Sequence, residues 1–237
     1  DVSNRLETVN ESGYDPPQRE GERFVTGLNF GLTSENNSQF LGFFADTDIA
    51  YNTNDNVVDQ LEIEDPALRL AYRLQSRESL LNFDARYRRT DVDNANFIED
   101  ADTSDVETGE GERTNITVRT GLVLGREAPI TFSINHLYAT NTFSGDNDGN
   151  PSDSTTNRVD TTLLFRLSQV ASVGLVADWR DIDRDDPDSS DQTEQSIGIR
   201  TVYDLSRVLT FEGQITYDEA TSTNTDREDK SGLGFNF

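Results

Sequence analysis

Apolar and polar residues alternate with a period of two along most of the chain. In residues 170–180, alternate positions from Ala171 to Trp179 are apolar, whereas Ser172, Gly174 and Asp178 lie between them. Successive side chains of a β-strand point to opposite faces of a sheet, so the segment predicts a strand with one apolar and one polar face. About eleven such segments follow one another from residue 22, and residues 22–33 and 38–51 alternate less cleanly. A further strand is expected within residues 1–11.

The connections between the predicted strands alternate in length. Short connections are expected at 75–78, 125–129, 168–169 and 204–207. Long ones, rich in Asp, Glu, Asn, Ser and Gly, are expected at 52–66, 90–113, 141–157, 181–194 and 219–229. An antiparallel, up-and-down β-barrel of about 12 strands that crosses a bacterial outer membrane has this arrangement, with short turns at one end and long loops at the other.

Aromatic residues mark the end of the apolar stripe on strands that lead into long loops. Tyr and Trp prefer the interface between membrane and water, so we expect a girdle at this height. The predicted girdle residues are Tyr51, Tyr87, Tyr138, Trp179 and Tyr217.

The last eight residues resemble the terminal strand of bacterial outer-membrane barrels. In that family the strand carries a polar residue, a glycine and two aromatic residues at fixed spacing, and Lys230, Gly232, Phe235 and Phe237 occupy these places. The resemblance implies recognition by the barrel-assembly machinery. The alternation along the chain also resembles that of alphaproteobacterial outer-membrane barrels.

Composition excludes several classes of function. The formal net charge is -25, which argues against nucleic-acid binding, and Lys230 is the only lysine, so the positive charge is nearly all arginine. The absence of cysteine excludes disulfides and thiol chemistry. No apolar run is long enough for a transmembrane helix, which does not exclude a barrel. With no signal peptide visible, we expect Asp1 to be a mature or trimmed start.

The polar faces of the predicted strands carry many arginines. Guanidinium groups stay charged and grip carboxylates, so they could guide anions through a lumen, with Asp84 and Glu212 as countercharges. This lumen chemistry resembles that of the acidic-oligosaccharide porins. Alternatively, arginines and acids pair across a narrow lumen and close it. The predicted pore-lining arginines are Arg69, Arg73, Arg86, Arg88, Arg119, Arg158, Arg166, Arg180 and Arg200.

No residue pattern indicates an enzyme. His136 is the only histidine, and the alternation places it on the apolar face, opposite Ser133, so a local Ser–His pair is not expected. The acidic stretches 146–150 and 183–191 offer oxygen ligands, but the first lacks the closing Glu of a calcium loop. We therefore expect no cofactor and no metal site, and loose Ca²⁺ binding at the acidic loops is the alternative.

These observations predict one all-β domain, residues 1–237, in the bacterial outer membrane. The predicted function is a porin-like channel for passive diffusion of small polar solutes, anionic ones among them. The first alternative is a non-conducting surface or scaffold protein that binds protein partners through its acidic extracellular loops. The second is a soluble, calcium-binding all-β domain. Membrane lipid, lipopolysaccharide and the assembly machinery are the expected partners.

Overall fold

A computed structural model describes residues 2–10, 20–52, 61–91, 111–144, 153–185, 191–206, 209–223 and 229–236. These residues form one antiparallel sheet and no helix, and none of them forms a helix long and apolar enough to span a membrane. The strands are β1 (Val2–Asn10), β2 (Glu20–Glu35), β3 (Gln39–Asn52), β4 (Leu61–Gln75), β5 (Ser79–Asp91), β6 (Glu112–Leu124), β7 (Ile130–Ser144), β8 (Ser154–Arg166), β9 (Ala171–Arg184), β10 (Gln192–Asp204), β11 (Thr210–Ser222) and β12 (Lys230–Asn236).

Each strand pairs with the next strand in the chain, which confirms the predicted all-β, up-and-down arrangement. Within the described residues, β1 pairs only with β2 and β12 only with β11, so the sheet is open between its first and last strands. Short and long connections alternate as predicted, with three residues between β4 and β5 but twenty between β5 and β6.

The strands extend further toward the long loops than the apolar pattern predicts. The predicted loop 141–157 contains the last residues of β7 and the first of β8, and the predicted loop 181–194 contains the ends of β9 and β10. In these terminal segments polar residues occupy positions on both faces, and the apolar Phe143 and Ile182 lie on the polar face. Periodicity therefore gives no signal there, whereas the backbone hydrogen-bond ladder continues.

A β-bulge explains why the start of β4 was predicted as a loop. Asp65 and Pro66 both lie opposite Thr47, so Ile63 and Leu68 point to the same face although they are five residues apart. Asp65 has a φ of 46°, the left-handed conformation that aspartate tolerates better than most residues. The extra residue interrupts the period of two, which hid the first residues of β4.

Backbone hydrogen bonds join neighbouring short turns to one another. The amide of Gln75 donates to the carbonyl oxygen of Ser38 at 2.7 Å, which links the β2–β3 turn to the end of β4. The same kind of bond joins each later pair of neighbouring hairpins at this end. These donors and acceptors are Arg126 to Glu78, Arg166 to Pro129 and Asp204 to Val170. The short-turn end is therefore tied together beyond the strands themselves.

The apolar face of the sheet is not covered by another layer of the described chain. Contacts between strands are confined to sheet neighbours, so the described residues do not form a sandwich. Large apolar side chains remain exposed, among them Phe30 at 58 %, Leu233 at 67 % and Phe235 at 61 %. An apolar surface of this extent is unusual for a soluble monomer and marks a site of contact with a partner or a membrane.

We predict that Gly125→Ala destabilises the fold. Gly125 has a φ of 71°, and an added Cβ would collide with the carbonyl oxygen of Ile130 across the β6–β7 turn. The left-handed conformation alone costs a residue with a Cβ about 1–2 kcal/mol. Urea unfolding in detergent micelles should show a lower midpoint. Gly232→Ala is the matched control because nothing lies within 4 Å of its added Cβ, and equal midpoints for the two variants would contradict the prediction.

Candidate functional site

The strand register sorts the predicted residues onto two faces. Residues paired across an antiparallel ladder point to the same side, and the row through Asp84 continues through Arg119, Leu137, Arg158 and Arg180. All the predicted pore-lining arginines lie on this polar face, as do Asp84 and Glu212.

Asp84 organises the centre of the polar face. Its carboxylate accepts hydrogen bonds from Arg69 Nε at 2.7 Å and from Arg86 Nε at 2.6 Å. Arg69 and Arg86 are direct cross-strand partners, so without Asp84 two guanidinium groups would face each other unscreened. The side chain of Asp84 is 19 % exposed, whereas both arginines are nearly half exposed. Asp84 therefore holds the two arginines while their outer nitrogens stay accessible.

Other arginines on the polar face also pair with acids. The closest pair joins Arg200 Nη2 to Glu212 Oε2 at 2.6 Å, which brings the second predicted countercharge to an arginine. Further pairs are Arg158 with Asp160, Arg73 with Glu35 and, at 3.9 Å, Arg180 with Glu194.

Three predicted arginines form no ion pair within the described part of the chain: Arg88, Arg119 and Arg166. Arg88 and Arg119 lie on β5 and β6, close to the Asp84 cluster. Between the bulge of β4 and the short turns, Asp84 is the only acid on the polar face of the described parts of β4 and β5. The polar face therefore carries its strongest positive charge on β4–β6.

The predicted girdle residues lie on the apolar face, and three of them are displaced by the same number of residues from one strand to the next but one. We call this displacement the stagger. Tyr138 shares a register row with Asp181, and Trp179 is displaced from that row by two residues toward the short turns. Trp179 shares a row with Glu219, and Tyr217 is displaced by the same two residues in the same direction. This displacement amounts to one residue per strand. With a rise of about 3.3 Å per residue and about 4.8 Å between neighbouring strands, it corresponds to strands tilted by about 35° to the axis of a barrel. The three rings would lie at one height in such a barrel.

Of the two predicted girdle residues nearer the N-terminus, Tyr87 follows this stagger and Tyr51 does not. Tyr87 shares a row with Thr140, two residues from Tyr138, which continues the series. The same row passes through Ala45 on β3, and Tyr51 lies six residues further toward the long loops. Tyr51 is therefore on the predicted face but beyond the height of the other aromatic residues.

The terminal motif lies on β12, where Lys230 and Gly232 point to the polar face and Phe235 to the apolar face. Phe237 lies outside the described residues. His136 is on the apolar face between Thr120 and Val159, and Ser133 is on the other face, so the two do not form a pair.

The acidic stretches are described only in part. Residues 146–150 lie outside the described residues, as do 186–190. Asp191 accepts a hydrogen bond from the backbone amide of Arg184 at 3.0 Å, so its carboxylate closes the end of the β9–β10 hairpin. Among the described residues, no group of three or more His, Asp or Glu side chains is arranged to hold a metal ion.

Among the phenylalanines on the polar face that the sequence pattern did not place there, Phe40 and Phe44 lie close together on β3. Both rings lie over Gly42, where an added Cβ would be 2.8 Å from Phe44 Cε2 and 3.0 Å from Phe40 Cζ. The guanidinium of Arg73 lies 5.9 Å from the centre of the Phe40 ring. The sequence does carry a signal for this arrangement. Gly42 is two residues from Phe40 and two from Phe44, so all three share one face, and the glycine leaves room for the rings to lie flat on the backbone.

We predict that Asp84→Asn destabilises the protein by about 1–2 kcal/mol, because two charge-assisted hydrogen bonds are weakened and Arg69 is left facing Arg86. Urea unfolding should give a lower midpoint, and added salt should restore part of it by screening the two arginines. Glu35→Gln is the control, since its carboxylate is 60 % exposed and makes one pair. An Asp84→Asn midpoint no lower than that of the control would refute this role.

Comparison with models of known protein families finds no match, and comparison with curated proteins finds no related sequence. The two faces are therefore characterised by their own chemistry: one is a broad apolar surface, and the other is a polar surface with excess arginine on β4–β6.

Proposed function

We propose that β12 pairs with β1, closing the sheet into a 12-stranded barrel in a bacterial outer membrane. The observation that carries the proposal is the broad apolar face, which no other described part of the chain covers. Closure would satisfy the backbone groups of the two edge strands, which hydrocarbon leaves unpaired at a cost of several kcal/mol each. Lipid would cover the apolar face, and lipopolysaccharide would surround the acidic loops.

Strand length supports this placement. A tilted strand needs about 9–11 residues to cross a bilayer. Strands β2 to β11 have 13 to 16 residues, so each spans the hydrocarbon and projects beyond it. The projecting ends are the segments with polar residues on both faces, which suits a position among lipid headgroups and water.

We propose further that the lumen passes small polar solutes by diffusion and favours anions. Twelve strands tilted by about 35° would give a backbone radius of about 11 Å, which inward side chains would narrow. Guanidinium groups keep their charge at all physiological pH values. Arg88 and Arg119, which form no ion pair among the described residues, would supply the attraction for anions on the wall formed by β5 and β6.

The selectivity of the channel tests this proposal. In planar bilayers with a potassium chloride gradient, the wild-type reversal potential should indicate a preference for chloride, and Arg119→Gln should reduce that preference. Arg77→Gln is the control, because Arg77 lies in a short turn and pairs with Glu127. Absence of conductance, or a cation preference that Arg119→Gln leaves unchanged, would end the channel proposal.

Membrane insertion is tested separately through Trp179, the only tryptophan. After refolding into phospholipid vesicles, its emission should shift to the blue, because the ring moves from water into the interface. Lipids brominated near the headgroup should quench it more strongly than lipids brominated near the acyl terminus. Emission that no brominated lipid quenches would remove the membrane assignment, and extraction of the protein without detergent would favour a soluble domain.

The ion pairs of the polar face favour a second function. Arg158 and Arg200 each pair with a neighbouring acid, and Arg69 and Arg86 share Asp84, and a lumen filled by such pairs would conduct poorly. The protein would then be a scaffold that binds protein partners through its acidic loops. Cross-linking of other proteins to the loops in intact cells, together with vesicles that do not swell in sugar solutions, would support this function.

A further inference from the structure

A cavity on the polar face combines an aromatic ring with a set of arginines. Its volume is about 400 Å³. The polar-face residues that line it include Asn29, Phe44, Asp46, Arg69, Arg86 and Arg88, and four residues at the apolar-face positions between them complete the lining. Phe44 occupies the same register row as Arg69 and Arg86, so ring and guanidinium groups follow one another across β3, β4 and β5.

Phe44 differs from Phe40 in what lies around its ring. Arg73 reaches past Phe40 to Glu35, with 3.2 Å between Arg73 Nη2 and Glu35 Oε1, and so lies over the Phe40 ring. Arg69 occupies the corresponding position beside Phe44 but turns the other way, toward Asp84. Gly31 lies on the far side of Phe44, with 3.4 Å between the ring and the position of an added Cβ. The Phe44 ring therefore borders the cavity.

The charges of the cavity favour an anionic group. Arg69 and Arg86 each use Nε to bind Asp84, which leaves their terminal nitrogens available to accommodate a second carboxylate. Arg88 adds a third guanidinium that forms no ion pair within the described chain. Asp46 is at the opposite side, two strands from Arg88 in the same row.

We propose that this cavity binds solutes that carry a flat ring and a carboxylate, the ring stacking on Phe44 and the carboxylate meeting Arg69, Arg86 and Arg88. The inference rests on the proposed function, since it requires the polar face to be reached by solutes. Two sources share this chemistry: a simple aromatic acid, and an aromatic amino acid whose ammonium group would face Asp46.

Ligand-detected saturation-transfer NMR on the refolded protein in micelles tests the inference without requiring conductance. Benzoate should give a saturable signal, and acetate should compete for it only at much higher concentration. Phe44→Leu keeps an apolar side chain over the glycines but removes the ring, and it should weaken benzoate binding about three- to tenfold. Phe43→Leu is the matched control, since Phe43 is on the apolar face.

Arg88→Gln is a second variant, and it breaks no ion pair of the described chain. It should weaken the binding of benzoate and leave the stacking of the ring on Phe44 intact. Phenylalanine separates the two sources: tighter binding than benzoate, lost in Asp46→Asn, identifies an amino acid, and weaker binding identifies an aromatic acid. Equal affinity for benzoate in the wild type and in Phe44→Leu would overturn the inference. An anion-selective channel that shows no benzoate binding would also overturn the inference but would leave the proposed function standing. Benzoate binding without conductance would reject the channel alone.

Discussion

The register of the backbone hydrogen-bond ladder is the constraint on which the rest of the structure depends. A slip of one residue would exchange the two faces of a strand, sending leucines to the arginines and arginines to the apolar side. With lipid on the apolar face, as proposed, the cost of that exchange would pin the register although no large side chain among the described residues is fully buried. In most small domains a packed interior performs this task; here the contrast between two surfaces performs it.

Electrostatics on the polar face follow from that register. Pairing β4 with β5 brings Arg69 opposite Arg86, an arrangement that is unfavourable by itself, and Asp84 offsets it by binding both. The same contacts orient the two guanidinium groups beside Phe44. One carboxylate thus has a structural effect, the relief of repulsion, and in the proposed channel it would have a chemical one, the orientation of two guanidinium groups toward anions.

Much of the fold could be predicted from periodicity, because the positions from Ala171 to Trp179 and their equivalents report the faces directly. The pattern failed where its physical basis is absent. The bulge at Asp65 adds a residue and inverts the parity, and the outer ends of the strands are polar on both sides. The proposed closure between β1 and β12 depends on long-range geometry that no local pattern encodes. The arginines could be assigned to a face from the sequence. The role of Asp84, however, depends on the pairing of β4 with β5, and the cavity at Phe44 depends on the four strands β2 to β5.

The hydrogen bonds that join one short turn to the next have a consequence for how such a protein can change over evolutionary time. Hydrogen bonds such as that from Gln75 to Ser38 align the hairpins at the short-turn end of the sheet. The long-loop end is therefore not needed for this alignment. Insertions, deletions and exchanges of acidic sequence there would leave the strand alignment untouched. Changes in sequence can therefore concentrate at one end of the molecule without disturbing the other.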